Sequence, residues 1–203
     1  MGYVITILAA YLIGTSNLAF YLAKLQKKDI TKGGSGNLGA SNATLLLGWW
    51  AGIAVGAHDI GKAAIAVLLA QHFFPELPYI GSVAGVACVL GHIFPFYLRF
   101  RGGKGFASYL GMSLALNWKL ALVVMVLVFL VTVITDYIVV GTLSAIVTVP
   151  VGIGILTKGV GMPLILLIAT AVILYKHREN LVRIWNHKEI GLRSAIRGEH
   201  IMK

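Results

Sequence analysis

Seven apolar runs, separated by short polar or glycine-rich breaks, take up most of this 203-residue chain. They are Tyr3–Ala23, Ala43–Phe74, Tyr79–Leu98, Phe106–Trp118, Leu120–Thr135, Tyr137–Leu156 and Gly161–Tyr175. A helix needs about 20 apolar residues to cross the hydrocarbon core of a bilayer. Only helices and closed barrels satisfy their backbone there. The chain therefore reads as an all-α polytopic membrane bundle. Composition agrees: 58% of residues are hydrophobic and 12% charged, and mean hydropathy is +0.87. A soluble domain carries about 25% charged residues. The first run lacks a basic leader, so it reads as a retained span rather than a removable signal. The one cysteine, Cys88, lies in an apolar run and reads as a packing residue.

Phe106–Trp118 is short for a crossing, and Ala43–Phe74 is too long and is interrupted by His58-Asp59-Ile60-Gly61-Lys62. We expect the long run to be one crossing made of two half-helices that meet at that interruption. Charge parity supports this. Lys24–Lys32, Arg99–Lys104 and Lys176–Lys203 hold fourteen of the seventeen Lys and Arg. One crossing puts all three on the same face, whereas a hairpin would separate them, and positive residues gather on the cytoplasmic side. The expectation is seven transmembrane helices, N-terminus outside, C-terminus cytoplasmic, in one domain over residues 1–203. The net charge of +10 is then topological and does not call for nucleic acid. Gly48, Gly52 and Gly56, and again Gly81 and Gly85, have the four-residue spacing of close helix-packing faces. Asp59 and Lys62 are i,i+3 neighbours and are expected to neutralise each other, because an unpaired charge in a span is costly.

Three polar clusters fall on the expected cytoplasmic face. Gly33-Gly34-Ser35-Gly36-Asn37-Leu38-Gly39-Ala40-Ser41-Asn42 precedes a helix. Glycine amides and a helix start form an anion site, and Ser35, Asn37, Ser41 and Asn42 add hydrogen-bonding side chains. The alternative is a flexible loop with Asn42 as helix N-cap. Arg99-Phe100-Arg101-Gly102-Gly103-Lys104-Gly105 also opens a helix but is not a Walker A loop. Its glycine amides and Lys104 suit phosphate, and ordinary positive-inside anchoring is the alternative. His92, one turn earlier, either orients this loop or touches substrate. Lys176-His177-Arg178-Glu179-Asn180-Leu181-Val182-Arg183 continues the last span as a polar helix. His177, Asn180 and Arg183 follow one another at i,i+3 and would share a face suited to a phosphorylated ligand and proton transfer. A charged interfacial helix is the alternative. No His, Asp or Glu spacing suggests a metal, and no cofactor is expected.

At these clusters the chain resembles the bacterial acyl-phosphate:glycerol-3-phosphate acyltransferases, the PlsY family. Ser35-Gly36-Asn37-Leu38-Gly39-Ala40-Ser41-Asn42 matches the first family motif. Gly91-His92-Ile93-Phe94-Pro95 with Phe100-Arg101-Gly102-Gly103-Lys104-Gly105-Phe106-Ala107 matches the second. His177 with Asn180 and Arg183 matches the third, and Asp59 with Gly61-Lys62 resembles a further signature. Leu45 stands where many members carry an arginine, and near Lys62 the glycine precedes the lysine.

The resemblance implies transfer of a fatty acyl group from acyl phosphate to the 1-hydroxyl of sn-glycerol 3-phosphate, giving lysophosphatidic acid and phosphate, at a bacterial plasma (inner) membrane. The partners implied are these two substrates and membrane lipids. No histidine is followed five positions later by aspartate, as the other large glycerol-phosphate acyltransferase class would require. On this reading the reacting centre involves His177, Asn180, Lys104 and Ser35. Gly36, Asn37, Ser41, Asn42, Arg101, Gly102, Gly103 and Arg183 hold phosphate or substrate. His177 is a base or an acceptor-orienting group, and the donor's own phosphate could take the proton instead. The competing class is a transporter of a phosphorylated metabolite, which broken helices and buried groups such as Asp59 and Lys62 would suit. The chain shows no repeat pair for it.

Overall fold

The computed structural model describes residues 1–197. Every regular element among them is helical. The chain divides into two compact units, residues 1–116 and residues 117 onward.

In the first unit the opening span is broken. Helix α1 (Gly2–Thr15) stops, and α2 (Leu18–Leu25) restarts behind Asn17, whose side chain caps it by accepting the Phe20 N–H at 2.9 Å. The break exposes two carbonyls that a continuous helix would have used. The Tyr97 hydroxyl donates to Thr15 O at 2.7 Å, and the Lys62 ammonium donates to Ser16 O at 2.6 Å. An unsatisfied carbonyl inside a bilayer costs several kcal/mol, so these partners make the break tolerable.

After a loop come α3 (Ala40–Leu47) and α4 (Trp49–Phe73), joined at Gly48 with φ +98°. Here the expected interruption at His58–Lys62 is corrected. Helix α4 runs through those residues for 25 residues, about 37 Å at 1.5 Å per residue. The chain needs no break because Asp59 and Lys62 pair at 2.8 Å, both buried. The discontinuity is at Gly48, which is therefore a turn rather than part of a packing face. Gly52 does pack closely: a Cβ there would enter the Thr44 side chain. Helix α5 (Ile80–Ile93) crosses α1 through paired glycines. A Cβ on Gly14 would enter the Cys88 carbonyl, and one on Gly91 the Tyr11 carbonyl. Helix α6 (Phe106–Leu116) completes the unit. Tyr3 Oη donates to Pro78 O at 2.8 Å, which puts the start of the chain and the α4–α5 turn at one end.

The second unit contains α7 (Trp118–Thr135), α8 (Ile138–Thr157), α9 (Gly161–Lys176), α10 (Arg178–Trp185) and the short α11 (Leu192–Arg197). Helices α9 and α10 meet at a 47° bend at His177, so the last span does not run on as a straight polar helix. The turn before α11 docks on the α7–α8 connection: Leu192 N donates to Asp136 O at 2.7 Å and Arg193 N to Asp136 Oδ1 at 2.9 Å. Helix α8 contains Pro150, which cannot donate to Ile146 O. The Thr170 hydroxyl of α9 fills the gap at 2.9 Å.

Among the described residues five segments can cross a membrane by length and apolarity: Gly2–Leu25, Trp49–Phe73, Ile80–Leu98, Trp118–Thr135 and Ile138–Thr157. The bent α9–α10 pair would make six, and α6 is a shorter apolar helix of 11 residues. In α7 only Ala121, Val124 and Thr132 are buried, and its exposed residues include Val123, Val126 and Phe129. Such a face is stable only against lipid, and the chain is a multi-pass membrane protein.

Thr170→Val should destabilise the protein by about 1 kcal/mol, the scale of a buried hydroxyl bond between membrane helices. In a Pro150→Ala background, where Ile146 O regains its helical donor, the same change should cost close to nothing. Unfolding in detergent micelles measures both.

Candidate active site

The first cluster is a loop organised by one amide. Gly34 and Gly36 take left-handed φ values of +55° and +66°. From the first turn of α3, Asn42 reaches back: Oδ1 accepts Ser35 N–H at 3.0 Å, and Nδ2 donates to Ile30 O at 3.1 Å and Gly33 O at 3.3 Å. Asn42 is not the N-cap of α3, since Gly39 occupies that position. Its buried side chain shapes the loop, leaving Ser35 and Ser41 exposed and Asn37 half-buried. Leu38 is the loop's apolar anchor, and its carbonyl accepts Asn17 Nδ2 at 3.2 Å. Earlier in the same connection Asp29 accepts the Thr31 hydroxyl at 2.6 Å. That bond above all holds the Asp29 carboxyl below the ordinary range.

The second cluster folds back onto the end of α5. A 3-10 turn at Phe96–Leu98 leads to Arg99 and Phe100, both with positive φ. Gly102 N–H then donates to Ile93 O at 3.0 Å, and Gly103 N–H to His92 O at 3.2 Å. The expectation that these two amides face a phosphate is corrected here, because both are spent on α5. The glycines are required by proximity instead. A Cβ on Gly102 would lie 2.6 Å from Pro95 Cδ, and one on Gly103 would lie 2.6 Å from His92 Cε1. Lys104 follows, half-buried, and Gly105 with φ +95° opens α6. Arg101 is exposed. Leu98 packs against the small core that holds Ile30 and Leu38, so both loops sit at one end of the first unit.

Below them lies a buried charged group. Lys62 Nζ is 2.8 Å from Asp59 Oδ1 and 3.0 Å from His92 Nδ1, and His92 Nδ1 is 3.3 Å from Asp59 Oδ1. His58 Nδ1 is 3.4 Å from Asp59 Oδ1, and its Nε2 is 3.1 Å from Ser16 Oγ. An open groove of about 400 Å³, lined by Ile13, Ser16, His58, Gly61, Lys62 and Ile65, runs along this group.

The third cluster belongs to the second unit. His177 and Asn180 are buried. His177 Nδ1 lies 2.8 Å from Ile173 O. A carbonyl only accepts, so Nδ1 carries a proton, and whenever the ring is neutral Nε2 is its acceptor. Asn180 and Arg183 do share a partner, Glu189, which sequence reading missed: Asn180 Nδ2 to Oε1 and Arg183 Nε to Oε2 are each 2.6 Å. A turn at His187, φ +54°, brings Glu189 back over α10. Its only sequence signal was an acidic residue among basic ones.

The profile of the family described as "Glycerol-3-phosphate acyltransferase" matches residues 4–187. This chain belongs to that family. It is 35% identical over 182 residues to a glycerol-3-phosphate acyltransferase of Thermoanaerobacter pseudethanolicus, covering 89% of this chain and 91% of the relative. It is 37% identical over 198 residues to that of Thermus thermophilus, covering 95% and 97%. Among solved structures it resembles PlsY, an integral membrane glycerol 3-phosphate acyltransferase, in its glycerol 3-phosphate form. The TM-score is 0.88 at 29% identity, covering 94% of this chain and 96% of that one. The lysophosphatidic acid form of PlsY matches with TM-score 0.86. The chain is thus an acyltransferase, and the transporter alternative is set aside.

Asn42→Ala should disorder the first loop, because a buried donor or acceptor left without its partner costs about 1–3 kcal/mol. Asn42→Asp keeps an acceptor for Ser35 N–H and loses both donors. Limited proteolysis within residues 31–36 should follow the order Ala, then Asp, then the unaltered protein.

Proposed function

We propose that this enzyme transfers a fatty acyl group from acyl phosphate to the 1-hydroxyl of sn-glycerol 3-phosphate, releasing lysophosphatidic acid and phosphate. The observation that carries the reading is the likeness, over nearly the whole chain, to PlsY in forms named for glycerol 3-phosphate and lysophosphatidic acid. The residues suit that chemistry. The acceptor hydroxyl oxygen attacks the acyl carbonyl carbon, the bond from that carbon to the phosphate oxygen breaks, and phosphate leaves. An acyl phosphate is already activated, so positioning and charge stabilisation carry most of the catalysis. We assign Lys104 to phosphate charge, with Arg101 and Arg183 as supporting cations. Ser35, Asn37 and Ser41 line the first loop toward phosphate or the developing oxyanion, and Gly36, whose N–H is bonded to Gly33 O at 2.9 Å, shapes the loop instead of binding. Asn42, Gly102 and Gly103 serve by holding the two loops. His177 Nε2, the acceptor nitrogen, takes the hydrogen bond of the attacking hydroxyl and orients it, and Asn180 supports it. The donor phosphate, with basic oxygens beside that hydroxyl, receives the proton.

We also propose that one acyltransferase domain spans residues 1–203, with seven crossings in a bacterial inner membrane and the three clusters facing the cytoplasm. The Tyr3–Pro78 bond supports this parity in the first unit, and the docking of Leu192 and Arg193 on Asp136 supports it in the second. Cysteines placed singly at residues 35, 101 and 178 should all be labelled from the cytoplasmic side and none from outside.

The decisive assay is phosphate release by purified protein from acyl phosphate, expected only when glycerol 3-phosphate is present. Lys104→Ala should cost about 1.5–3 kcal/mol, the worth of a charged hydrogen bond, or about 10–150-fold in kcat/KM, partly as a raised KM. Lys104→Arg should restore only part of it, since a planar fork does not replace a point ammonium. His177→Gln or His177→Asn should keep substantial activity if the ring orients the acceptor. Loss of about 10²–10⁴-fold would assign it general-base work instead.

A further inference from the structure

We propose that the Asp59–Lys62–His92 group is a positioning device for the loop that carries Lys104, so that an ion pair inside the bundle governs substrate phosphate binding at its end. The inference rests on the assignment of Lys104 to phosphate and goes beyond it, because none of these three residues is exposed enough to bind substrate from water.

The chain of contacts is continuous. Lys62 holds three partners at once: Asp59 Oδ1 at 2.8 Å, Ser16 O at 2.6 Å and His92 Nδ1 at 3.0 Å. An ammonium has three protons and no acceptor, so it can serve three partners at once. His92 Nδ1 lies beside both charges, 3.0 Å from Lys62 Nζ and 3.3 Å from Asp59 Oδ1, so the pair holds that side of the ring and leaves Nε2 at the far edge. That edge of the ring faces Gly103, close enough that no side chain fits there. The carbonyls of His92 and Ile93 receive the Gly103 and Gly102 amides. Lys104 is the next residue. Its loop is thus fixed to the imidazole on one side and to the end of α5 on the other, and the imidazole is fixed by the ion pair.

The same ammonium ties this loop to the first. Lys62 caps Ser16 O at the break in the opening span, and the adjacent Asn17 donates to Leu38 O in the first loop. One buried cation therefore references both loops to a single point in α4. A pair serving only to neutralise charge would not need His92, or the carbonyl of a broken helix, within its reach.

The test uses full-length enzyme in detergent with acyl phosphate and glycerol 3-phosphate. Two variants remove the device without leaving a lone buried charge: His92→Leu, and the double change Asp59→Leu with Lys62→Met. Replacing a buried ion pair with apolar residues is often neutral for stability, but Lys62→Met also uncaps Ser16 O, so the thermal unfolding midpoint should change little in His92→Leu and fall in the double variant. Expected is a fall in kcat/KM for glycerol 3-phosphate of about tenfold to a hundredfold, the scale set by misplacement of a binding group. That loss should nearly vanish in a Lys104→Ala background, because residues acting through one another are not additive. In His92→Leu, which leaves the Lys62–Ser16 contact in place, trypsin should also cut at Arg99 and Arg101 faster, with cleavage at Lys27 and Lys28 unchanged, whereas the double variant should loosen both loops. Losses that multiply with Lys104→Ala, tryptic rates that rise equally at both loops in His92→Leu, or unchanged kcat/KM would each overturn the proposal. Should the double variant fail to fold, His92→Leu decides alone by the same criteria. If Lys104→Ala itself leaves kcat/KM unaltered, the phosphate assignment fails. In that case the tryptic pattern separately reports whether the cluster holds the loop.

Discussion

The backbone of the first span stops being helical at Ser16 and Asn17, inside a solvent that offers no hydrogen bonds. Two freed carbonyls must be answered by protein. Tyr97 answers one and Lys62 the other, and each answer brings an obligation of its own. Tyr97 belongs to the segment that leaves α5 for the second loop. Lys62 cannot be buried without Asp59, and together they hold His92. The break therefore recruits the neighbours that define the end of the first unit, and the two glycine-rich loops are anchored where those neighbours meet.

Much of this was legible in the sequence because lipid imposes strong rules. Apolar runs and the i,i+3 spacing of Asp59 and Lys62 were sufficient to predict helices and a buried pair. The first two motifs of the family resemblance lie on the loops expected of them, and the third lies at a bend that was not expected. What the sequence concealed was direction. Glycines beside a lysine look like a phosphate cradle. Whether their amides face outward depends on whether α5 ends with carbonyls to spare, and at His92 and Ile93 it does. Asn42 reads as a cap because capping is its commonest role before a helix. It became a loop organiser because Gly39 already stood at the start of α3.

Breaks were the hardest feature to locate. The His58–Lys62 stretch looked like an interruption since polar residues rarely sit mid-span. Charges that cancel within one helix leave its hydrogen bonds intact, and the chain continued. Gly48, hidden among small residues at packing intervals, carried the real turn. Glu189 escaped notice for a related reason. Nothing local marks the reversal at His187 that brings its carboxylate to Asn180 and Arg183.

The hydroxyl of Thr170 on the carbonyl that Pro150 leaves vacant has a mechanical consequence. Most contacts between apolar helices tolerate sliding, since one methyl is much like the next. This one does not, because a displacement of a single residue, about 1.5 Å along the axis, would strand a carbonyl in hydrocarbon. Helices α8 and α9 are therefore indexed against each other, like two gears with one matching tooth. Breathing of the second unit therefore costs less when it rocks about that tooth than when it shears across it.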